Sequence, residues 1–312
     1  MIRFLFFIIK NILIFLLFFL KKKKKGNSSY LLIKFMSLEL LKISKKLNFK
    51  SGIFIKNNIY IESGGVILNS TGTNKYFKIF LEEKFENETV QLIKIINYLL
   101  KNKPNLIFDI GACYGEMSIY FSKNYPDSKI FSVEASSNNI EIFKNNLNVQ
   151  NFSTSNIKII NKAIFNQKTR VKYTKGMTSE NSIILEEIKY NQNQLTTYVN
   201  TTTLSEIHME YAKNKIIDFI KIDIEGSEPF LIDDFKKLSN KIKLMSIEFS
   251  DKNSKDKYID LLKELNTNFL IFQQHFPLSK PLNLNSAKSL FISKLNELGG
   301  LDFLFLNKNF KK

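Results

Sequence analysis

The chain has 312 residues, and 44% of them are apolar, including 29 Phe and 12 Tyr. That much apolar material supports a sizeable core and excludes a wholly disordered protein. A single cysteine, Cys113, excludes an intrachain disulfide and a zinc site built from cysteines. The formal net charge is +17, which brings a membrane surface or a nucleic acid into consideration as a partner.

The chain begins with a largely apolar segment, residues 2–20, which has Arg3 near its start and is interrupted in the middle by Lys10 and Asn11. As a helix this segment would span about 28 Å, close to the hydrocarbon thickness of a bilayer. The lysine run that follows, Lys21–Lys25, resembles a stop-transfer flank, and the positive-inside rule keeps such a flank in the cytoplasm. The sequence therefore predicts a membrane anchor over 1–25 that leaves the rest of the chain in the cytoplasm.

Other interpretations of this segment treat the lysines differently. A helix that lies in the membrane interface would use them to contact anionic lipid, and this alternative stays open. A buried core helix is disfavoured because it would place the lysines beside the core. A cleaved signal peptide is disfavoured because its charges would have to precede the apolar stretch. A nucleic-acid partner would need a recognition helix or an RNA-binding aromatic pattern, and the sequence has neither. We therefore expect a membrane partner, bound through residues 2–25.

A short region of mixed character separates the anchor from the main domain. Residues 30–47 have apolar positions at helical spacing. Over 49–81, short apolar runs alternate with Asn, Ser and Gly turns, which predicts a small β-meander. The predicted organisation is an anchor with a polybasic flank over 1–25, an N-terminal helix and β-meander over 26–84, and a main domain over 85–312.

The main domain alternates buried apolar runs with helical patterns. Strands are predicted at 106–110, 129–133, 157–160, 216–222 and 243–248, with closing antiparallel strands at 269–274 and 303–307. Helices are predicted at 86–101, 117–123, 138–148, 202–212, 229–238 and 255–265. This alternation predicts an α/β domain with a doubly wound, mostly parallel sheet. Ligands bind at the carboxyl ends of the strands in that architecture, so the motifs at those ends are the candidates for a site.

The first strand of the domain ends in a glycine-containing loop that includes Asp109, Gly111, Ala112, Cys113 and Gly115. Gly111 permits a sharp turn, and Gly115 lets the loop approach a ligand and the next helix pack on the strand. A dinucleotide site would need another glycine where bulky Cys113 stands, and Asp109 would repel a pyrophosphate. A carboxylate here suits instead the ammonium group of S-adenosylmethionine, although a plain strand-to-helix turn is the alternative.

The next two strands end in residues suited to the rest of that cofactor. Glu134 follows the glycine turn by about 20 residues, where a carboxylate accepts hydrogen bonds from both ribose hydroxyls. The alternative for Glu134 is a solvated loop acid. The backbone around Asn161 and Ala163 can edge an adenine ring, with Ala163 leaving room for it. The candidate cofactor-binding residues are therefore Asp109, Gly111, Ala112, Cys113, Gly115, Glu134, Ala135, Asn161 and Ala163.

The fourth strand carries the densest set of charged residues, Lys221, Asp223, Glu225 and Glu228. Strand alternation places Lys221 and Asp223 on one side, and the carboxylates cluster at the end of the strand. Their mutual repulsion is offset by a cation, a proton or Lys221. These four are the candidate catalytic residues: the carboxylates as general base, metal ligands or binders of a substrate hydroxyl, and Lys221 for substrate binding or charge neutralisation. No metal ligand set is assigned.

Three further residues lie outside this motif. Glu248 ends the fifth strand, near the same edge of the sheet. His275 follows a predicted strand and is a second choice as general base, with a surface loop position as its alternative. His208 lies in a predicted helix, where we expect a structural role.

These segments together resemble the FkbM family of S-adenosylmethionine-dependent methyltransferases over roughly residues 85–306. The motifs that carry the resemblance are Phe108–Glu116, Val133–Ala135, Asn161–Ala163, Phe219–Glu228 and Ile247–Glu248. The most specific is the run Lys-Ile-Asp-Ile-Glu-Gly-Ser-Glu over 221–228. The family usually has Asn at the position of Cys113, and we expect the fold to tolerate that change because the loop binds largely through its backbone.

The resemblance implies a Rossmann-like class I methyltransferase fold with a mostly parallel, seven-stranded sheet. It also implies methyl transfer from S-adenosylmethionine to a hydroxyl group, since family members typically O-methylate sugars, polyketides and other small hydroxylated products. Together with the anchor, this makes a sugar, a glycan or a lipid-linked hydroxyl compound the expected acceptor. Two alternatives belong to other classes: a membrane-tethered binding module without chemistry, and a nicotinamide-dependent oxidoreductase.

Overall fold

The computed structural model describes residues 53–55, 58–63, 66–69, 87–174, 196–250, 254–275 and 277–310. The anchor predicted over 1–25 and the helix predicted over 30–47 lie outside these ranges. Within the described ranges, no helix has both the length and the apolar character needed to cross a membrane. The chain divides into two compact units, Met1–Asn87 and Glu88–Lys312.

The described strands of the first unit form a small antiparallel sheet. They are β1 (Ile53–Ile55), β2 (Asn58–Ser63) and β3 (Val66–Asn69), in the order β1-β2-β3. The sheet is a meander, because each strand pairs with the one that follows it in the chain. The β-meander predicted over 49–81 is therefore present in the part of that range which the structure describes.

The rest of the described chain alternates strands and helices. The strands are β4 (Leu106–Ile110), β5 (Lys129–Glu134), β6 (Ile157–Asn161), β7 (Ala163–Ile164), β8 (Arg170–Thr174), β9 (Thr196–Thr202), β10 (Ile217–Ile222), β11 (Ile242–Phe249), β12 (Phe269–Gln273) and β13 (Leu301–Asn307). The α-helices are α1 (Asn87–Leu100), α2 (Glu116–Asn124), α3 (Ser137–Asn148), α4 (Leu204–Ile207), α5 (Ile232–Leu238), α6 (Lys255–Asn268) and α7 (Leu284–Leu298). A π-helical turn (His208–Ala212) continues α4, and a 3₁₀ turn (Glu228–Leu231) precedes α5.

One sheet organises the second unit. Its strand order is β12-β13-β11-β10-β4-β5-β6, and the five strands from β11 to β6 pair in parallel. Strand β13 is antiparallel to both of its neighbours. The predicted mostly parallel, seven-stranded sheet is therefore confirmed. The chain builds outward from β4 through β5 and β6 and later returns to the other side of β4, so the topological switch point lies between β4 and β10.

The centre of this sheet is buried on both faces. Strand β4 is buried along its whole length, and its Phe108 and Ile110 belong to the same apolar cluster as Ile220 and Ile222 of β10. Aromatic and β-branched side chains suit a parallel strand that is covered by helices on each side. Packing of these residues holds β4 and β10 side by side, which fixes the relative positions of the polar residues at their carboxyl ends.

Two parts of the second unit go beyond the sequence-based expectations. Strands β7, β9 and β8 form a separate three-stranded sheet in the order β7-β9-β8. Helix α7 lies between the two closing strands, where no helix was expected. The side chain of Asn283 caps its start by accepting from Ser286 N at 2.9 Å, and Gly299, with φ 89°, ends it.

Candidate active site

The glycine loop (Asp109–Gly115) and the acidic motif (Lys221–Glu228) contact each other at the carboxyl ends of β4 and β10. Asp223 N donates to Ile110 O at 3.0 Å, and Lys221 lies opposite Asp109 in the register of the two strands. A Cβ built on Gly111 would lie only 1.7 Å from the carbonyl oxygen of Asp223. The two motifs that the sequence singled out therefore meet at the topological switch point, where open α/β sheets bind their ligands.

The glycine loop is held by its own backbone hydrogen bonds. Gly111 N and Ala112 N both donate to Val133 O, at 2.9 and 3.0 Å, and Gly115 N donates to Ala112 O at 2.8 Å. The φ angles of Gly111 and Gly115 are 81° and 80°, a region that glycine adopts without strain. A Cβ on Gly115 would also meet the Phe143 ring at 1.9 Å. Packing within the protein is therefore sufficient to require both glycines.

Asp109 is fully buried beneath this loop. Its Oδ2 accepts a hydrogen bond from Ser118 Oγ at 2.5 Å, while its Oδ1 has no hydrogen-bond partner in the described part of the chain. Burial raises the pKa of this carboxyl, and the Lys221 ammonium and the Ser118 hydroxyl oppose that rise. A buried acceptor without a partner costs about 1–3 kcal/mol, so a donor brought to Oδ1 by a ligand would be stabilising.

Glu134 is bonded to the loop and to the start of the next helix. Its Oε2 accepts from Cys113 N at 2.8 Å, and its Oε1 accepts from Ser136 N at 2.7 Å and from Asn139 Nδ2 at 3.3 Å. Burial raises the pKa of Glu134 to about 7, although these hydrogen bonds lower it. A carboxylate offers about four acceptor positions, so one remains, on Oε2, for a hydroxyl donor.

A second acceptor lies beside Glu134. Asn139 Oδ1 is buried and has no hydrogen-bond partner among the residues described, while its Nδ2 donates to Glu134. No sequence pattern distinguishes Asn139, because it is one of many asparagines in the chain. Asn139 lies in the first turn of α3, where the side chain of the N-cap residue Ser136 accepts a hydrogen bond from Asn139 N. This bond fixes its position. Together, Glu134 and Asn139 offer acceptors on two neighbouring side chains.

The residues predicted around an adenine ring have structural contacts. Asn161 Nδ2 donates to Glu134 O at 2.9 Å and to Ala135 O at 3.0 Å, which ties the end of β6 to the end of β5. Ala163 is buried and pairs with Thr201 in the smaller sheet. The arrangement places Asn161 and Ala135 at the carboxyl edge, whereas the Ala163 side chain is enclosed by protein.

Lys221 lies between two carboxylates. Its Nζ is 2.7 Å from Asp223 Oδ2, and the Asp109 carboxylate is on the adjacent strand. Burial alone would lower the pKa of Lys221, but the charges of Asp223 and Asp109 raise it above its usual value. Lys221 therefore stays cationic and compensates charge in both the glycine loop and the acidic motif.

The structure adds Glu248 to the acidic motif. Asp223, Glu225 and Glu248 each offer a carboxylate oxygen, and these oxygens lie within 4.8 Å of one another. Burial, the charge of Asp223 and a hydrogen bond with Asp223 raise the pKa of Glu248 to about 10. Glu248 therefore carries a proton at neutral pH, and Asp302, opposite it on β13, adds to the effect. We call Asp223, Glu225 and Glu248 the acidic cluster.

Within the described part of the chain, the acidic cluster is also the one group of side chains whose geometry would suit a metal ion. Its three oxygen donors are the hard ligands that Mg²⁺, Ca²⁺ or Mn²⁺ prefer. The proton on Glu248 and the Lys221 ammonium already offset the negative charge that would attract such an ion. The geometry therefore suits either a cluster stabilised by a proton and Lys221 or a cluster that holds a hard cation.

Glu228 takes a different place from the other candidate catalytic residues. It is fully buried, its Oε1 accepts from Ile224 N at 2.7 Å, and its Oε2 accepts from Gly226 N at 3.0 Å and from Tyr258 Oη at 2.6 Å. These bonds fix the turn in which Glu225 adopts a left-handed φ of 55°. Glu228 thus faces inward and holds the turn, whereas Glu225 lies in the acidic cluster.

Tyr173 is a candidate site residue that the sequence did not indicate. It lies buried on β8, and the electrostatic fields of Glu134, Cys113 and Glu225 act on its hydroxyl group. Burial first, and the ionised forms of these neighbours second, raise the pKa of Tyr173 above the usual value, so the phenol keeps its proton. No sequence signal could have identified it, because β8 belongs to the smaller sheet.

The two histidines lie far apart in the fold. His208 is buried, and its Nε2 lies 2.6 Å from Lys215 O, consistent with the structural role that we expected. His275 is exposed just after β12, at the carboxyl edge. Next to it, Gln274 accepts a hydrogen bond from Ser246 Oγ at 2.6 Å. His275 thus lies at the same edge as the acidic cluster, at its solvent-exposed periphery.

The fold and this arrangement define a Rossmann-like methyltransferase domain. The family model described as the methyltransferase FkbM domain matches residues 109–272, more than half of the chain. The protein therefore belongs to the FkbM methyltransferase family, and its cofactor is S-adenosylmethionine. This result confirms the resemblance inferred from the motifs and replaces the nicotinamide alternative.

The chain is similar to several solved methyltransferase structures, at low sequence identity. The precorrin-6y C5,15-methyltransferase of Geobacter metallireducens GS-15 is 13% identical, covers 72% of this chain and 89% of its own, and has a TM-score of 0.39. An S-adenosylmethionine-dependent methyltransferase of Agrobacterium tumefaciens is 11% identical, with coverages of 82% and 72% and a TM-score of 0.45. The plantazolicin methyltransferase BpumL in complex with SAH is 14% identical, with coverages of 72% and 86% and a TM-score of 0.38. A search of curated proteins found no match.

The polar groups of the site fit S-adenosylmethionine. The cofactor brings an ammonium group and two ribose hydroxyls, and the site offers acceptors on Asp109, Glu134 and Asn139. The expectation that the loop binds largely through its backbone stays a prediction. The N–H groups of Gly111, Ala112 and Cys113 already donate to Val133 O or to Glu134 Oε2.

Proposed function

We propose that the protein is an S-adenosylmethionine-dependent O-methyltransferase that acts on a hydroxyl group of a sugar, a glycan or a lipid-linked acceptor. The observation that carries this proposal is the contact between Gly111 and the carbonyl group of Asp223. It puts the acidic cluster directly beside the glycine loop. An alcohol acceptor needs such a group nearby, because its proton must leave as its oxygen attacks.

The three carboxyl groups of the acidic cluster have different proposed roles, because their charge states differ. Bound S-adenosylmethionine supplies a methyl group on a positively charged sulfur, which leaves the protein to position the acceptor oxygen and take up its proton. Glu248 already holds a proton, and Asp223 is paired with Lys221. We therefore assign the general base to Glu225 and the binding of the acceptor hydroxyl to Asp223 and Glu248.

Glu225 suits this role because it is only partly buried. A proton taken from the acceptor hydroxyl by the Glu225 carboxylate can pass on to solvent, whereas a fully enclosed acid would retain it. The bonds from Glu228 hold the turn that carries Glu225. His275, which is exposed at the same edge, is the alternative base.

We further propose that residues 2–25 hold the protein at a membrane, with the methyltransferase domain on the cytoplasmic side. The apolar length of residues 2–20 and the lysine run Lys21–Lys25 support this placement. S-adenosylmethionine is made in the cytoplasm, so this orientation gives the domain access to its cofactor. A lipid-linked acceptor would explain why the domain is tethered.

The experiment that tests the activity uses the full chain in detergent micelles with S-adenosylmethionine labelled in its methyl group. Membrane and glycan extracts serve as acceptors, and labelled products are separated into organic and aqueous fractions. Each fraction is then treated with alkali, which cleaves methyl esters and leaves methyl ethers intact. We expect alkali-stable label that is lost in Glu225→Gln and retained in Asp127→Asn, a matched change at an exposed aspartate.

Three results would contradict the proposal in different ways. Alkali-labile label would indicate transfer to a carboxyl group instead of a hydroxyl group. Equal label from the Glu225→Gln variant would remove Glu225 as the base and direct attention to His275. Calorimetric titration that detects no binding of S-adenosylhomocysteine to the folded full chain, with or without extract, would indicate the non-catalytic module.

A further inference from the structure

The sheet has a second edge of distinct chemistry, opposite the candidate active site. The loops that precede β4, β10 and β11 carry five lysines there: Lys101, Lys103, Lys213, Lys215 and Lys241. These strands are neighbours in the sheet. Their loops also touch, because Asn105 N donates to Asp218 Oδ2 at 2.7 Å and Ile217 N donates to Lys241 O at 2.7 Å. The five lysines therefore share one surface, which we call the basic edge.

The positive charge of the basic edge is not cancelled by nearby acids. None of its five ammonium groups forms an ion pair with a residue in the described ranges. Asp218, which lies among these loops, is buried and pairs with Lys243 at 2.6 Å. Glu210 is an exposed acid on the adjoining π-helical turn. A net positive surface is therefore presented to solvent.

Two large apolar side chains are exposed in the same region. Met209 is 61% exposed and Ile216 is 41% exposed, on either side of Lys213 and Lys215. The helix ends there with Lys213 in a left-handed conformation, φ 49°. The bond between His208 and the carbonyl oxygen of Lys215 then holds the returning chain. The turn thus presents isoleucine, methionine and lysine together.

We propose that the basic edge, with Met209 and Ile216, docks the domain on an anionic lipid surface. Lysines near such a surface contribute about 1 kcal/mol each, and exposed apolar side chains beside them enter the region between the headgroups. Charge complementarity points to an anionic partner, and the two exposed apolar side chains favour a lipid surface over a nucleic acid. The residues of this surface are different from those of the anchor proposed over 2–25.

Docking in this way orients the active site. Strand β10 has six residues, so its two ends are separated by roughly 17 Å at about 3.3 Å per residue. With the basic edge on the lipid, the acidic cluster would lie on the side that faces away from the membrane. If the proposed O-methyltransferase activity is correct, the acceptor hydroxyl belongs to a glycan that extends from its lipid or to a soluble compound, and not to a group at the headgroup level.

The test is amide hydrogen exchange of the full chain, measured by mass spectrometry in the presence of vesicles. One sample contains phosphatidylcholine vesicles, and the other contains phosphatidylcholine with 30% phosphatidylglycerol. We expect exchange over residues 209–216 to slow by roughly tenfold with the anionic vesicles only. The lysine run Lys21–Lys25 of the anchor also favours anionic lipid, so variants of the basic edge are needed to separate the two contributions.

Matched variants separate the basic edge from general charge. The triple variant Lys213→Ala, Lys215→Ala, Lys241→Ala should lose the slowing. The control variant Lys144→Ala, Lys255→Ala, Lys280→Ala has the same net charge and should keep it, and unchanged exchange in β10 and β11 shows that both are folded. No slowing with anionic vesicles, equal slowing in the triple variant, or slowing with an RNA oligonucleotide but not with vesicles would overturn the proposal. These results do not depend on methyl transfer, so they stand apart from the test of the proposed function.

Discussion

Lys221 Nζ lies 2.7 Å from Asp223 Oδ2 and, on the neighbouring strand, faces the position of Asp109. One ammonium group therefore compensates carboxylates that belong to two different parts of the site. Asp109 supports the glycine loop, and Asp223 is part of the acidic cluster. A change at Lys221 should consequently affect cofactor binding and acceptor chemistry together.

The first prediction concerns removal of this cation. Lys221→Met leaves two carboxylates without their counter-charge, and we expect the free energy of unfolding to fall by about 2–4 kcal/mol. The loss should shrink as the pH is lowered, since protonation of Asp109 and Asp223 removes the repulsion. Urea unfolding of the full chain in detergent at pH 5 and pH 8 measures both effects. Lys243→Met, which breaks an ion pair at the opposite edge, should lower stability without affecting methyl transfer.

The second prediction is a pH dependence of cofactor binding. The pKa of Glu134 is raised to about 7 in the free protein, first by burial, and hydroxyl donors from the ribose favour its ionised form. Binding therefore releases a proton below pH 7, and affinity should rise by up to roughly tenfold from pH 6 to pH 8, then level off. Calorimetry with S-adenosylhomocysteine tests this. Glu134→Gln should bind more weakly and lose the pH dependence; a variant with the same slope would point to another group.

The third prediction separates the members of the acidic cluster. Because Glu248 is protonated at neutral pH, Glu248→Gln keeps a donor toward Asp223 and should retain most of the methyl-transfer rate. Glu225→Gln removes the proposed base and should lower the rate by roughly 10²–10⁴-fold. Asp223→Asn should also lose turnover. Initial rates with labelled S-adenosylmethionine give all three values, and an inactive Glu248→Gln beside a normal Glu225→Gln would reverse the assignment.

The fourth prediction concerns Glu228. Burial raises its pKa to about 7, so the folded protein binds more protons than the unfolded chain between about pH 4.5 and pH 7. The stabilisation associated with this group is therefore present at low pH and is lost as the pH rises toward 7. Glu228→Gln should flatten that part of the stability profile in urea unfolding. Tyr258→Phe, which removes one donor to Glu228, should cost about 1–2 kcal/mol and leave the rate per folded molecule unchanged.

The fifth prediction uses two glycines with similar backbone angles. Gly111 and Gly299 have φ of 81° and 89°, but a Cβ on Gly299 meets nothing within 4 Å, whereas one on Gly111 would meet Asp223 O at 1.7 Å. Gly299→Ala should therefore show only the cost of the left-handed conformation, about 1–2 kcal/mol. Gly111→Ala should cost clearly more and should weaken S-adenosylhomocysteine binding. Equal costs in thermal unfolding would mean that the approach of Asp223 does not constrain the loop.

The strands of the main sheet could be predicted closely because their patterns are unambiguous. β4 was predicted at 106–110 and is Leu106–Ile110, since a short apolar run between polar turns has few alternatives. The sheet β7-β9-β8 could not be predicted in the same way. Strand β9, Thr196–Thr202, contains four threonines and an asparagine, and it shows neither an apolar run nor a clear alternation. Helix α7 has serines and lysines between its apolar positions, and only Ala287, Phe291 and Leu295 are buried.

For the site, the sequence predicts the positions of the residues along the strands but not the orientations of their side chains. The sequence placed Glu225 and Glu228 at the end of one strand, which the structure confirms as a location. It could not separate their orientations, because the positive φ of Glu225 and the bonds of Glu228 to Ile224 and Gly226 arise only in the folded turn. The recruitment of Glu248 to Asp223 likewise depends on the pairing of β10 with β11. Strand-end patterns locate a site, and tertiary hydrogen bonds decide which side chains enter it.

The contact between Gly115 and the Phe143 ring makes these two positions a pair of complementary size. Any side chain at 115 would occupy the space of the ring, which lies 1.9 Å from a Cβ placed there. A smaller residue at 143, such as leucine, would have to accompany an alanine at 115. A larger residue at the start of α2 would therefore require a compensating change on α3, at a position 28 residues away in the chain.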